Sequence, residues 1–136
     1  MPDLITSPEQ MEALGASLVK GLSLPAVVYL RGDLGAGKTT LVRGALRELG
    51  YEGLVKSPTF TIVESYELPD LEVHHFDLYR ISDPEELDYI GLGEYQTSSS
   101  ICFFEWPDLG KSMVPPATLE VDITYHPEGR LAEVRP

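Results

Sequence analysis

The chain has 136 residues, 43% of them apolar, enough for one domain with a buried core and too few for two independent ones. Its formal charge of −12 argues against a surface that grips nucleic acid unaided, and its single cysteine excludes an internal disulfide. The first ten residues lack the basic and apolar regions of a secretory leader, and no apolar run could cross a bilayer, so a cytoplasmic protein without a membrane partner is expected.

Ser7 predicts a helix N-cap, with Pro8 in the first turn and Gln10 at the third position. Met11, Leu14, Leu18 and Leu22 then recur at helical spacing. Residues 26–30, AVVYL, read as a strand covered on both faces. A glycine-rich segment follows at 32–40, then a helix to about Leu49, with Gly50 as its stop. Residues 60–68 and 71–80 read as a β-hairpin turning at Pro69-Asp70. Asp83 and Glu86 have capping-box spacing for a short helix, and residues 101–104, ICFF, predict a second buried strand. Residues 119–125 alternate as a strand, turn at Pro127-Glu128-Gly129, and return over 130–135. The order predicts one α/β domain over residues 1–136, with three layers and a mixed, partly antiparallel sheet.

Charge is unevenly divided. Residues 1–56 carry six basic and six acidic residues, whereas 57–136 carry four basic and sixteen acidic ones. A solvated acidic surface is the plain reading. Metal ligands and a basic partner are the functional one.

Gly32-Asp33-Leu34-Gly35-Ala36-Gly37-Lys38-Thr39 satisfies every fixed position of the phosphate-binding pattern G-x-x-x-x-G-K-[ST], between a strand and a helix. Glycines let backbone N–H groups turn inward on phosphates, and the helix N-terminus adds partial positive charge. Lys38 is expected to supply a cation at the β- and γ-phosphates, with no role in core packing. Thr39 offers a hydroxyl to Mg²⁺. The chain has no asparagine, so the N-K-x-D guanine signature is absent, which favours ATP.

A carboxylate must stand near Thr39 to hold the cation. Glu105 and Asp77 are the candidates, each at the end of a predicted strand. Thr59, in Ser57-Pro58-Thr59-Phe60, is a candidate switch residue sensing Mg²⁺ or the γ-phosphate. Trp106 follows Glu105 and is expected near the nucleotide. His74 and His75 point to opposite faces of one strand, so structural roles are expected for both. Cys102 is expected to be a buried core thiol.

GDLGAGKTT at 32–40, SPTF at 57–60, HFDLYR at 75–80, DPEEL at 83–87 and EWP at 105–107 resemble, in order and spacing, the TsaE (YjeE) family. The resemblance implies a small Mg²⁺-dependent ATPase required for N6-threonylcarbamoyladenosine at position 37 of tRNA. It implies action with TsaB and TsaD. It places phosphate or nucleotide contacts at Gly35, Ala36, Gly37, Lys38, Thr39 and Thr40, and less directly at Ser7, Pro8 and Arg130. It places Mg²⁺ at Thr39 and Glu105, a catalytic role at Lys38 and Glu105, and a catalytic or metal-site acid at Asp77. Slow ATP turnover by the lone chain is expected, with no tight tRNA binding. A small-molecule kinase is the rival, but only four basic residues follow Lys56, too few for an arginine-rich lid. A nucleotide-dependent binding module without turnover is the third reading.

Overall fold

The computed structural model describes residues 2–136. In chain order the elements are β1 (Asp3–Ile5), α1 (Pro8–Lys20), β2 (Ala26–Arg31), α2 (Lys38–Glu48), β3 (Val63–Glu67), β4 (Glu72–Asp77), α3 (Glu86–Tyr89), β5 (Ser100–Glu105), β6 (Leu119–His126) and β7 (Gly129–Arg135). Two 3₁₀ turns cover Leu92–Tyr95 and Pro107–Met113.

The seven strands form one sheet in the order β1-β7-β6-β2-β5-β4-β3. Central β2 lies parallel to both β5 and β6, and β4 is parallel to β5. The outer pairs β3–β4, β6–β7 and β1–β7 are antiparallel. The predicted α/β class, three layers and mixed sheet are thus present.

Period-2 alternation explains how the layers form. Val28 and Leu30 of β2, Phe103 of β5 and Val121 of β6 point to one face, where they bury with Leu41, Val42 and Leu46 of α2 and Met11 of α1. Phe76 of β4, with Cys102 and Phe104 of β5, points the other way, against Leu87 of α3, Leu92 and Val114. The Phe76 and Phe104 rings stack with centroids 4.7 Å apart. Each fully buried side chain of this size contributes about 1.5–3 kcal/mol of transfer free energy.

Helix ends follow their chemistry. The Ser7 hydroxyl accepts from the Gln10 N–H at 3.1 Å, and Gln10 Oε1 reaches back to the Thr6 N–H at 2.8 Å. Gly50 (φ +101°) terminates α2, donating to Arg47 O while the Tyr51 N–H returns to Leu46 O. Glu86 Oε2 accepts from the Asp83 N–H as the capping-box spacing predicts, but Asp83 Oδ1 accepts from the Glu85 N–H rather than from Glu86, so only half of the reciprocal pattern forms.

Three features depart from expectation. Strand β3 begins at Val63 rather than residue 60, because the chain turns there: the Ile62 N–H bonds Pro58 O at 2.8 Å, and Ile62 takes φ +71°. Strand β1, three residues long, was not expected; it is held on the sheet edge by pairing with β7. Helices α1 and α2 cross at a close approach of Gly15 and Gly44. A Cβ on Gly44 would lie 2.0 Å from Glu12 O, and one on Gly15 1.9 Å from Leu41 O.

Candidate nucleotide and metal site

The loop between β2 and α2 leaves the carboxyl end of the central strand, between its parallel neighbours β5 and β6, the end of an open α/β sheet where ligands gather. Gly35 (φ +80°) and Gly37 (φ +114°) take the left-handed conformations the cradle needs. Its outward-facing carbonyls are engaged. Arg130 Nε donates to Ala36 O and Nη2 to Gly35 O, both at 3.2 Å. The Tyr125 hydroxyl donates to Leu34 O at 2.6 Å. With its carbonyls engaged from β6 and β7, the loop is pre-shaped for an anion.

Two cavities adjoin it. One, of about 220 Å³, is lined by Gly35, Gly37, Lys38, Thr39 and Thr40 together with Thr59 and Glu105. The other, of about 250 Å³, is lined by Ser7, Pro8, Gly35, Ala36, Gly37, Thr40 and Arg130. Residues named separately along the sequence are therefore gathered on the two sides of one loop. The Ser7 hydroxyl is already engaged as a helix cap.

Lys38 corrects an expectation. Its side chain is only 4% exposed, so it does belong to the packed interior. Its ammonium donates to Gly32 O at 2.5 Å, lies 3.5 Å from Glu105 Oε1 and stands 4.6 Å from the centre of the Trp106 ring. Glu105 and Asp77 are direct cross-strand partners at the ends of β5 and β4. Both are buried. Asp77 Oδ1 accepts from the Tyr79 N–H at 3.0 Å, and Oδ2 from the Thr59 hydroxyl at 3.2 Å. Burial pushes the Asp77 carboxyl above the usual range, and the neighbouring Glu105 charge adds to this against the lowering effect of its hydrogen bonds and Lys38.

The donor set is oxygen: the Thr39 hydroxyl and the Glu105 carboxylate on one cavity wall, with Asp77 beside it. That chemistry fits Mg²⁺, which takes one or two carboxylates and completes its shell with phosphates and water. Among the described residues no group of three His, Cys, Asp or Glu side chains could hold a metal unaided.

The model of the family described as threonylcarbamoyl adenosine biosynthesis protein TsaE matches residues 5–132, a span that includes the loop, both acids and Arg130. The chain belongs to the TsaE family. The TsaE protein of Haemophilus influenzae is 49% identical over 108 residues, covering 79% of this chain and 68% of that one. The Bacillus subtilis TsaE protein is 39% identical over 118 residues, covering 86% and 73%. The crystal structure of Bacillus subtilis YdiB superposes with a TM-score of 0.77 at 30% identity, covering 97% of this chain and 84% of that one.

In this TsaE-family chain, sequence reasoning missed two contributors to the site. Tyr125 is one: nothing in a strand's alternation shows that a half-exposed tyrosine reaches a loop 91 positions away. His75 is the other. The two histidines do face opposite ways, but His75 is fully buried and its Nε2 lies 2.5 Å from Glu105 Oε2. The signal was available: His75 and Asp77, two apart on one strand, share the face that carries the acids. Trp106 packs over Lys38 and against Tyr79, with ring centres 5.0 Å apart, in a left-handed conformation at φ +56°.

Proposed function

We propose that this chain is a Mg²⁺-dependent ATPase subunit that supports N6-threonylcarbamoyladenosine formation on tRNA, in the cytoplasm and in association with TsaB and TsaD. The observation that carries the reading is a buried ion pair, Lys38 with Glu105, at the mouth of a phosphate-binding loop in a TsaE-family fold. The loop's N–H groups and the start of α2 bind the phosphates. Lys38 leaves Gly32 O to meet them, exchanging one oxygen acceptor for another. Thr39 and Glu105 would hold Mg²⁺, which would supply charge neutralisation at the phosphates. Asp77 orients water and, through its bond to Thr59, ties the segment at 57–62 to the phosphate pocket.

That segment is the element nucleotide state would act on. It ends in the strained Ile62 and carries Phe60, which is 80% exposed and stacked under the Arg80 guanidinium at 4.4 Å. A surface excess of acid over base disfavours a direct grip on tRNA.

Single-turnover hydrolysis of ATP, with and without TsaB–TsaD, tests this. Phosphate release that depends on Mg²⁺, rises with the partners and is lost in Lys38→Ala is the expected result. Transfer of phosphate to a metabolite, or no turnover in either condition, overturns it. Trp106, the single tryptophan, gives a fluorescence readout of Mg·ADP binding in the same samples. Gel shift should show no tight tRNA binding by the lone chain at physiological salt.

A further inference from the structure

We infer that His75 is the positioning residue for Glu105: it engages one carboxylate oxygen and so presents the other to Lys38 and to the cation. The inference rests on the placement of Glu105 in the metal site.

The sheet register builds the arrangement. His75 pairs with Phe103 and Asp77 pairs with Glu105 across β4 and β5. The imidazole is therefore one pleat behind the two acids, on their face and beneath them. It is fully buried, and its Nε2 lies 2.5 Å from Glu105 Oε2, while Glu105 Oε1 lies 3.5 Å from Lys38 Nζ. Each oxygen of Glu105 thus has its own partner, and the carboxylate cannot rotate without breaking one contact. An ionised carboxylate only accepts, so Nε2 carries the hydrogen.

The other ring nitrogen makes the argument specific. His75 Nδ1 is buried without a hydrogen-bond partner. His74, the neighbouring histidine, shows what a purely structural imidazole looks like here. Its Nδ1 meets Ser65 Oγ at 2.7 Å and its Nε2 meets Glu72 Oε1 at 2.9 Å, leaving neither unpaired. A leucine at position 75 would fill similar space without an orphaned nitrogen, but would leave Glu105 Oε2 without its partner. What histidine adds at this place is one donor aimed at one oxygen of Glu105.

Two measurements test the assignment. Nitrogen-15 NMR of the histidine rings in the metal-free, nucleotide-free protein should find the His75 hydrogen on Nε2; a hydrogen on Nδ1 alone overturns the assignment. Calorimetry with ADP, titrated in EDTA and over a Mg²⁺ series, should then compare wild type, His75→Leu, His75→Gln and Glu105→Ala. In His75→Leu the half-saturating Mg²⁺ concentration should rise about 10-fold, within the range for loss of a partner of a metal ligand, while affinity in EDTA stays within about twofold. His75→Gln, whose amide nitrogen reaches about as far as Nε2, should recover most of the loss. Equal weakening with and without Mg²⁺, or no rescue by Gln, makes His75 merely structural. A Mg²⁺ dependence unchanged in Glu105→Ala removes the metal placement and this inference with it. A change in Glu105→Ala and none in His75→Leu removes this inference alone. Should His75→Leu fail to fold, the Gln variant and the wild-type NMR decide.

Discussion

Lys38 Nζ and Glu105 Oε1 face each other across 3.5 Å, with side chains 4% and 5% exposed. A buried pair of this kind is costly to break from one side, because the remaining charge keeps its desolvation penalty. Lys38→Ala should therefore abolish nucleotide binding and also lower the stability of the empty protein by about 1–3 kcal/mol, His75 still supporting Glu105. The double variant Lys38→Ala/Glu105→Gln should regain much of that stability and none of the binding. Urea midpoints read the first effect and calorimetry the second. Equal midpoints for the single and double variants would show that the ammonium does not stabilise the buried acid.

Asp77 is the reverse case. Its carboxyl titrates above the usual range, chiefly through burial, so the folded state holds this proton more tightly than the unfolded chain. The sign follows: the group costs nothing below its unfolded value, and its cost grows as pH rises through the raised folded value. Asp77→Asn keeps both hydrogen bonds, since Oδ1 still accepts from Tyr79 and the amide can donate to Thr59. At pH 7 its melting temperature should rise by a few degrees, and the gain should vanish in strong acid. Hydrolysis should fall at the same time. A melting temperature lowered at pH 7 would show that Asp77 contributes to stability rather than opposing it.

The crossing of α1 and α2 gives a test of packing alone. Gly44→Ala places a methyl 2.0 Å from Glu12 O, so the helices must separate. Overpacking of this kind costs about 1–3 kcal/mol, more than the roughly 1 kcal/mol that alanine gains over glycine within a helix. Gly93→Ala, with nothing within 4 Å of the added carbon, should be nearly neutral. Comparable stability for the two variants in urea would count against the close approach.

These glycines also show where the sequence stops being legible. The loop at 32–39 was readable as a motif because its pattern is local: glycines, one lysine and one hydroxyl within eight positions. The ends of α1 and α2 were readable for the same reason. Gly15 and Gly44 look like weak points in two helices until the helices are crossed. His75 looks like core until the register sets it opposite Phe103, one pleat from the pair Asp77 and Glu105. Strand β1 has too few residues to show any period, and its pairing is created by β7, more than 120 positions later. Glu105 and Asp77 could each be placed at a strand end, but their adjacency belongs to the parallel pairing of β4 with β5.

Cys102 lies on the face away from the loop, fully buried between β4 and β2. Burial pushes its thiol up to about 11 from an ordinary 9.0. The thiolate is the reactive form, so little of it exists at pH 8. The native protein should resist a thiol reagent at that pH and react fully in denaturant. Because the folded thiol holds its proton more tightly than the unfolded one, stability should fall as pH rises from about 9 to about 11. Rapid labelling of native protein at pH 8 would mean that this side of the sheet opens locally.

Arg130 offers the sharpest separation of shape from charge. It reaches the loop at 32–39 from β7 and donates to two of its carbonyls, Ala36 O by Nε and Gly35 O by Nη2, with Nη1 on Gly129 O, while its guanidinium lies 4.4 Å from the centre of the Tyr125 ring. Lysine has the same charge and a similar stem, but no planar fork, so it cannot bridge two carbonyls in one geometry. If Arg130 acted on the nucleotide only as a positive charge, Arg130→Lys would be silent. If it acts by holding the loop in shape, Arg130→Lys should weaken ADP binding by about fivefold to tenfold, the equivalent of roughly one net hydrogen bond. Tyr125→Phe removes the neighbouring bond to Leu34 O and should weaken binding in the same direction, with no change in charge. The two substitutions act on one short loop, so their effects should not add. Calorimetry with ADP in EDTA isolates the comparison from the metal. Wild-type affinity in both variants would mean that the loop keeps its shape without either side chain.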